Sequence, residues 1–245
     1  MPKKVVPYKN SNQGKKKQVQ QMFDSISGSY DGLNRVISFG IDVKWRKKVV
    51  KAVLDSGANE ILDIATGTGD LAISIAKKSK ADKIIGIDIS EGMLAVGKKK
   101  IAEKNLDDRV ELMLADSEDL PFEDDIFGAA SVAFGVRNFE NLEKGLAEIH
   151  RILKPRGLFV VLETSVPTKT PFKQGYNFYC NRILPFIGKT FSKDKNAYAY
   201  LSKSASLFPH GENFNNILRK IGFTNVKHKP QTFGAATIYT AEKKA

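Results

Sequence analysis

One stretch constrains the chain more than any other: Ile61-Leu62-Asp63-Ile64-Ala65-Thr66-Gly67-Thr68-Gly69-Asp70-Leu71-Ala72. An apolar run ends in an acid, breaks at two glycines and restarts with helix formers. That order predicts a buried strand, a tight turn and a helix N-terminus, the place where an α/β sheet holds a nucleotide-like ligand. Gly67 and Gly69 free the backbone to take positive φ or to approach a ligand closely. Asp70 is placed to cap the helix that follows.

Two ligand classes fit such a turn. Gly67-x-Gly69-x-x-Ala72, with Asp88 about 20 residues on, satisfies the loose dinucleotide fingerprint. Asp63 argues for the other class, because a carboxylate beside the turn repels a pyrophosphate and attracts an ammonium group. S-adenosylmethionine carries an amino-acid end and a ribose but no phosphate.

The rest of the chain reads as alternating strands and helices. Strands are expected at 61–64, 83–88, 110–114, 126–134 and 158–163, with helices near 70–78, from Ser90, and at 142–153. Lys154-Pro155-Arg156-Gly157 reads as the turn that ends the last of these helices. A helix at 212–221 precedes strands at 224–227 and 236–240. With no helix between them, those two strands can only form a hairpin or lie antiparallel at the edge. The pattern is an α/β fold with a mostly parallel seven-stranded sheet closed by an antiparallel C-terminal strand. Two stretches stand outside the alternation. Residues 18–56 read as helices folded over the ligand crevice as a lid, and residues 166–208 as an aromatic-rich helical insertion containing Phe172, Phe178, Phe186, Phe191 and Tyr198. Residues 1–17 read as a basic, flexible tail, which leaves 18–245 as a single domain.

Charge narrows the class further. The net charge is +12, and through Lys51 twelve basic residues face only Asp24, Asp31 and Asp42, so +9 of it lies there. Such a segment suits an anionic membrane surface or nucleic acid. No apolar run approaches a membrane span, and the lone Cys180 fits a reducing compartment, so a cytoplasmic protein is expected. The three histidines and Cys180 show no ligand spacing, and no metal is expected. His150, in mid-helix, reads as a packed structural residue.

Three strand ends carry acids or small polar residues in succession: Asp63 with the glycine turn, Asp88, and Asp116-Ser117. Asp88 can accept from both ribose hydroxyls and Asp116 from an adenine amino group. The backbone at Gly67 and Gly69 and the Thr68 hydroxyl suit the amino-acid end. This set points to S-adenosylmethionine.

Asp63 to Asp70, Gly86-Ile87-Asp88-Ile89-Ser90, Asp119-Leu120-Pro121-Phe122 and Leu153-Lys154-Pro155-Arg156-Gly157 resemble the successive motifs of class I S-adenosylmethionine methyltransferases, whose fold is Rossmann-like. Met22-Phe23-Asp24-Ser25-Ile26, Tyr30-Asp31, Asn34, Trp45-Arg46, Phe134-Gly135-Val136-Arg137-Asn138 and Ser192-Lys193-Asp194-Lys195 are more narrowly similar to the menaquinone/ubiquinone biosynthesis C-methyltransferases. The resemblance runs from about residue 18 to the C-terminus. It implies methyl transfer to a ring carbon of a prenylated quinol, with demethylmenaquinol favoured. It also implies cofactor contacts at Thr68, Asp88, Asp116 and Ser117. The sequence departs from the family at Arg156, where glycine is usual, and at Thr164, where an aromatic is frequent.

Arg137 and Asn138, after the fourth strand, are the candidates to steady a developing phenolate. Tyr30 is the candidate to hydrogen bond a quinol oxygen. The aromatic insertion suits an isoprenoid tail or a homodimer interface, and the basic N-terminus suits docking on an anionic bilayer. The rival reading is a methyltransferase of RNA or of another small molecule. The chain shows no base-flipping motif or appended RNA-binding module, and nucleic acid is not expected as a partner.

Overall fold

The computed structural model describes residues 5–183 and 195–245. Phe186, Phe191, the Ser192-Lys193-Asp194 motif and the side chain of Tyr198 lie outside the described residues.

The glycine-turn unit forms as its residue order dictates. Strand β1 (Glu60–Ile64) is followed by the turn and by helix α4 (Asp70–Ala76), after the N-terminal helices α1 (Lys15–Ile26), α2 (Tyr30–Ile37) and α3 (Ile41–Asp55). Next come β2 (Lys83–Asp88), α5 (Glu91–Ala102), β3 (Val110–Leu114), β4 (Phe127–Ala133), α6 (Leu142–Ile152) and β5 (Leu153–Thr164). The insertion supplies α7 (Phe172–Phe178), a π-helical turn (Tyr179–Ile183) and α8 (Lys195–Leu207). The chain then closes with α9 (Glu212–Ile221), β6 (Thr224–Gln231) and β7 (Ala236–Glu242).

The seven strands form one sheet in the order β3-β2-β1-β4-β5-β7-β6. The first five run parallel, and β7 pairs antiparallel with both β5 and β6. The strand order reverses between β1 and β4, so a crevice opens beyond their C-terminal ends, where ligands bind in such sheets. The expected hairpin is observed, and each of its strands runs beyond the expected bounds.

Apolar side chains from α3, α4 and α5, including Val49, Val53, Leu71 and Ile75, bury one sheet face. Leu146, Ile149, Phe214 and Leu218 of α6 and α9 bury the other. A third core has no sheet in it: Val19, Met22, Ile26 and Leu33 of α1 and α2 pack with Ala197 and Tyr200 of α8. Thus α3 belongs to the sheet sandwich, whereas α1, α2 and the insertion make a cap with its own interior. Val5 and Tyr8 pack against that cap, and α1 begins at Lys15.

Two local expectations are corrected. Gly69, in the left-handed region at φ 76°, is the N-cap of α4, and Asp70 is the first helical residue and makes no capping bond. Its carboxylate instead meets Lys100 and Arg35. Residues 154–157 do not end α6 in a free turn: the chain runs into β5 directly from Ile152, with a register shift against β4 between Phe127 and Ala129. His150 packs edge-on against Phe223 at 4.9 Å, and burial lowers its pKa.

Arg156 sits at φ 65°, a conformation in which a side chain crowds the backbone and glycine does not. Its N–H donates to the carbonyl of Lys243 at 3.0 Å, so the backbone holds the position. Arg156→Gly is therefore expected to raise the unfolding free energy by about 0.5–1 kcal/mol. The shift should appear as a higher urea midpoint at unchanged slope. A lower midpoint would show that the side chain earns its place.

Candidate active site

The turn after β1 is held from below. Asp63 is buried, its two oxygens accepting from Thr66 Oγ1 at 2.7 Å and Ser131 Oγ at 2.8 Å. Burial raises its pKa to about 6 against the pull of those hydroxyls. Above it the chain turns through Gly67 at φ 58°, where a Cβ would lie 3.2 Å from Met93 Cε. Helix α5 packs on the turn at Gly97, where a Cβ would come within 3.2 Å of the Thr68 carbonyl carbon.

Turning Gly67 in this way aims its N–H at Asp88. The Asp88 carboxylate accepts from Gly67 N at 2.8 Å and from Ser90 N at 2.9 Å. Burial still dominates and pushes its pKa up to about 6. Beside it a cavity of about 60 Å³ is lined by Tyr30, Gly67, Asp88, Asp116, Ser117 and Asn138, among others. Its charged lining is Asp88, Asp116, Glu118 and Glu140 with Lys16 as the basic member. That acidic wall suits a sulfonium and an ammonium and opposes a pyrophosphate. Lys16, from the start of α1, donates to the Asp116 carboxylate and lies 3.5 Å from Glu118.

Thr68 faces away from this cavity. Its hydroxyl donates to Asp31 at 2.7 Å and accepts from Lys100 Nζ at 3.1 Å. Lys100 also pairs with Asp31 at 2.9 Å and with Asp70, while Arg35 bridges Asp70 at 3.0 Å to Asp42. Asp42, 3% exposed, is further held by Arg46 and by the Ser38 hydroxyl. This half-buried network fastens α2 to the glycine turn and to α5. Burial disfavours the Asp70 anion, but Lys100 outweighs it and holds the pKa below the ordinary value.

A second cavity, of about 270 Å³, lies between α2, α3, the end of β5 and the insertion. Its wall is mainly apolar, with Ile37, Phe39, Trp45, Tyr176, Tyr179 and Leu201 among its residues. Tyr30 and Phe134 line both cavities and so form the partition between them. Phe134 is fixed by the Trp45 ring at 6.2 Å and by the Arg46 guanidinium, 5.3 Å above its own ring. Arg137 faces the second cavity and is buried on Glu163, which is fully buried, at 2.5 Å. Burial lowers the Arg137 pKa, but Glu163 overcomes this and raises it. Arg137 Nη1 also donates to the Phe134 carbonyl at 2.8 Å, and Nε has no hydrogen-bond partner among the described residues. Asn138 accepts from the Tyr200 hydroxyl at 3.1 Å.

The sequence model of the ubiE/COQ5 methyltransferase family matches residues 11–243. The chain belongs to that family. It is an S-adenosylmethionine-dependent methyltransferase. Among family relatives, a demethylmenaquinone methyltransferase of Bacteroides fragilis is 44% identical over 98% of this chain and 98% of its own. A ubiquinone/menaquinone biosynthesis C-methyltransferase of Geobacter sulfurreducens is 43% identical over 98% and 93%. Solved structures share the fold at lower identity. The [4+2]-cyclase SpnF gives a TM-score of 0.68 at 18% identity, covering 95% of this chain and 97% of its own. A possible histamine N-methyltransferase of Thermotoga maritima gives 0.65 at 20%, covering 92% and 99%. A cyclase among these neighbours is a reminder that the fold alone does not set the reaction.

Of the residues singled out in the sequence, the structure gathers Tyr30, Gly67, Asp88, Asp116, Ser117 and Asn138 around the first cavity and sets Arg137 on the second. Asp63, Thr68 and Gly69 line neither cavity. Among the described residues no group of three or more His, Cys, Asp or Glu could hold a metal ion. Phe134, Glu163, Lys16 and Lys100 were not anticipated as site residues. The Phe134-Gly135-Val136-Arg137-Asn138 motif carried a signal for the first, and nothing local marks the others.

The two raised carboxyl groups give a pH test with a definite sign. A folded-state pKa near 6 against an ordinary 3.8 means the unliganded fold loses stability as pH rises from about 4 to 6. With Asp88 as the expected ribose acceptor, cofactor binding should run the other way, because the hydroxyls would donate to its anion. Affinity for S-adenosylmethionine, followed calorimetrically, should be flat above pH 7 and fall by up to about tenfold per unit below about 6. Asp63→Asn should keep that break and Asp88→Asn should lose it. A break that vanishes in Asp63→Asn would move the ribose contact away from Asp88.

Proposed function

We propose that the enzyme methylates a ring carbon of a prenylated quinol, demethylmenaquinol to menaquinol. The carrying observation is the pair of cavities, one acidic and one largely apolar, that share Tyr30 and Phe134 as their wall. The relatives' names support the substrate class. In this reading Asp88 takes the ribose hydroxyls and Asp116-Ser117 the adenine edge. The Gly67 backbone lies along the amino-acid end. Adenine recognition then displaces Lys16 from Asp116. Asp63 and Thr68 act on the cofactor through the turn, by fixing Gly67 and Gly69.

S-adenosylmethionine supplies an electrophilic sulfonium methyl, so the protein's task is to align a nucleophilic carbon and exclude water. Losing the proton of a quinol hydroxyl drives electron density onto the neighbouring ring carbon. In this reading Arg137, on the wall of the apolar cavity with Glu163 behind it, steadies that oxygen with its positive charge. Tyr30 and the Asn138–Tyr200 pair can orient the ring on the partition between the cavities. A phenol is protonated at neutral pH, and burial pushes the Tyr30 and Tyr200 hydroxyls further up; the Tyr200 proton is taken by Asn138.

A lipid-borne substrate also brings the protein to the cytoplasmic face of an anionic membrane, and no described helix is long and apolar enough to cross one.

The direct test uses labelled S-adenosylmethionine and a short-tailed, chemically reduced demethylmenaquinol. Wild type should move label into the lipid extract and Asp88→Ala should not. Arg137→Lys keeps a cation for Glu163 but loses the planar donors, and should lower kcat by about 10²-fold with little change in KM. Cofactor binding without any labelled quinol would reject the substrate assignment.

A further inference from the structure

Exposed aromatic side chains lie on and beside the lining of the larger cavity. Phe39, in the turn between α2 and α3, is 72% exposed. Phe178, at the end of α7, is 62% exposed, and Phe233, in the turn between β6 and β7, is 69% exposed. Three separate elements thus expose a phenylalanine that lines the larger cavity or neighbours a lining residue in the chain. Phe39 lines the cavity, and Phe178 and Phe233 directly adjoin the lining residues Tyr179 and Thr232. The rim is also tied together. Tyr179 donates to the Ile37 carbonyl at 2.5 Å, its ring lies 5.8 Å from that of Phe39, and Phe172 stacks on Phe233 at 3.8 Å.

Two of these residues occupy the left-handed region, Phe39 at φ 51° and Phe233 at φ 56°. A bulky side chain there is strained, and in neither case does burial in the protein repay the cost. The insertion is basic in sequence, and among the described residues the exposed lysines beside these aromatics are not matched by exposed acids of the insertion. Residues 166–208 carry seven lysines and arginines against the single Asp194. Lys169 and Lys173 stand exposed on either side of Phe172, and Lys44 and Lys48 are exposed on α3. Lys48 reaches Gln231, beside the Phe233 turn, at 2.5 Å.

We propose that this rim is a membrane-docking face: the phenylalanines enter an anionic lipid bilayer, the flanking lysines meet its headgroups, and the cavity opens onto the acyl region. Exposed aromatics interleaved with lysines are the chemistry of an interfacial anchor. A second copy of the chain fits less well, since an isologous contact would set the same lysines against each other. Two lysines at the start of α1 are engaged elsewhere. Lys15 Nζ donates to the carbonyls of Arg137 and Phe139 and Lys16 to Asp116, at the other cavity. The proposal rests on the quinol reading for its purpose. A cavity of about 270 Å³ is at the small end for a ligand site, room for a ring and not for a whole polyprenyl chain. Docking at the mouth lets the tail stay in lipid while the ring enters.

The test is flotation of the full-length protein with vesicles of phosphatidylglycerol and phosphatidylcholine, and of phosphatidylcholine alone, without quinol. Wild type should float with the anionic vesicles and much less with the neutral ones. Phe178→Ser/Phe233→Ser should bind about tenfold more weakly or worse. It should methylate a water-dispersed short-tailed quinol at the wild-type rate and lose rate on a long-tailed quinol held in vesicles. A double variant that floats like wild type, or a wild type that ignores anionic vesicles, overturns the proposal. So does a wild-type dimer that dissociates in the double variant. Because flotation contains no quinol, a protein that floats but methylates no quinol would reject the substrate and leave the docking face standing.

Discussion

Everything at this site depends on one buried carboxylate. Asp63 ends β1 with a hydroxyl on each oxygen, one from the turn at Thr66 and one from β4 at Ser131. A carboxylate so buried is costly unless its lone pairs are filled, and filling them fixes where Thr66 must sit. The Thr66 backbone N–H then reaches Ile87 of β2 at 2.9 Å. The turn is thereby tied to both neighbours of β1 at the point where the strand order reverses. Gly67 presents its N–H to Asp88 as a consequence, and the position of that carboxylate beside the first cavity follows.

The cap is fastened to the same turn by a different kind of interaction. Lys100 and Arg35 sit among Asp31, Asp70 and Asp42, joining α2 to α4 and α5 through charges that are only partly screened. Tyr30 begins α2, so whatever positions that helix also positions the wall between the two cavities. Both cavities are therefore set by one piece of backbone and one ionic network. Lys16 adds a contact from α1 to Asp116 at the wall of the first cavity.

Sequence and structure agree where the signal was local. The glycine turn, β2 with its terminal acid, the start of α5 at Ser90 and the β6–β7 hairpin each depend on residues within a few positions of one another. Asp88, Asp116 and Ser117 come together because parallel strands bring their C-terminal ends to one edge. Other features depend on partners far along the chain, and these were not legible. Asp70 reads as a cap, yet Lys100, thirty positions away, takes its carboxylate and leaves capping to Gly69. Asp63 and Thr68 belong to the right turn, but composition cannot say on which side of it a side chain falls. Lys16 reads as tail because Asp116 lies a hundred residues on, and Glu163 reads as a strand end because its arginine comes from another element. Arg156 was marked as a departure from glycine, and its left-handed φ supplies the reason the family prefers glycine there.

The central claim is that the methyl donor and its acceptor meet across the Tyr30–Phe134 wall. A crystal structure with S-adenosylhomocysteine tests it most directly. The ribose is expected on Asp88, the adenine edge at Asp116 and Ser117 with Lys16 displaced, and the sulfur facing Tyr30 and Phe134 toward the apolar cavity. A sulfur turned away from that partition, or a ribose bound elsewhere than Asp88, would contradict it.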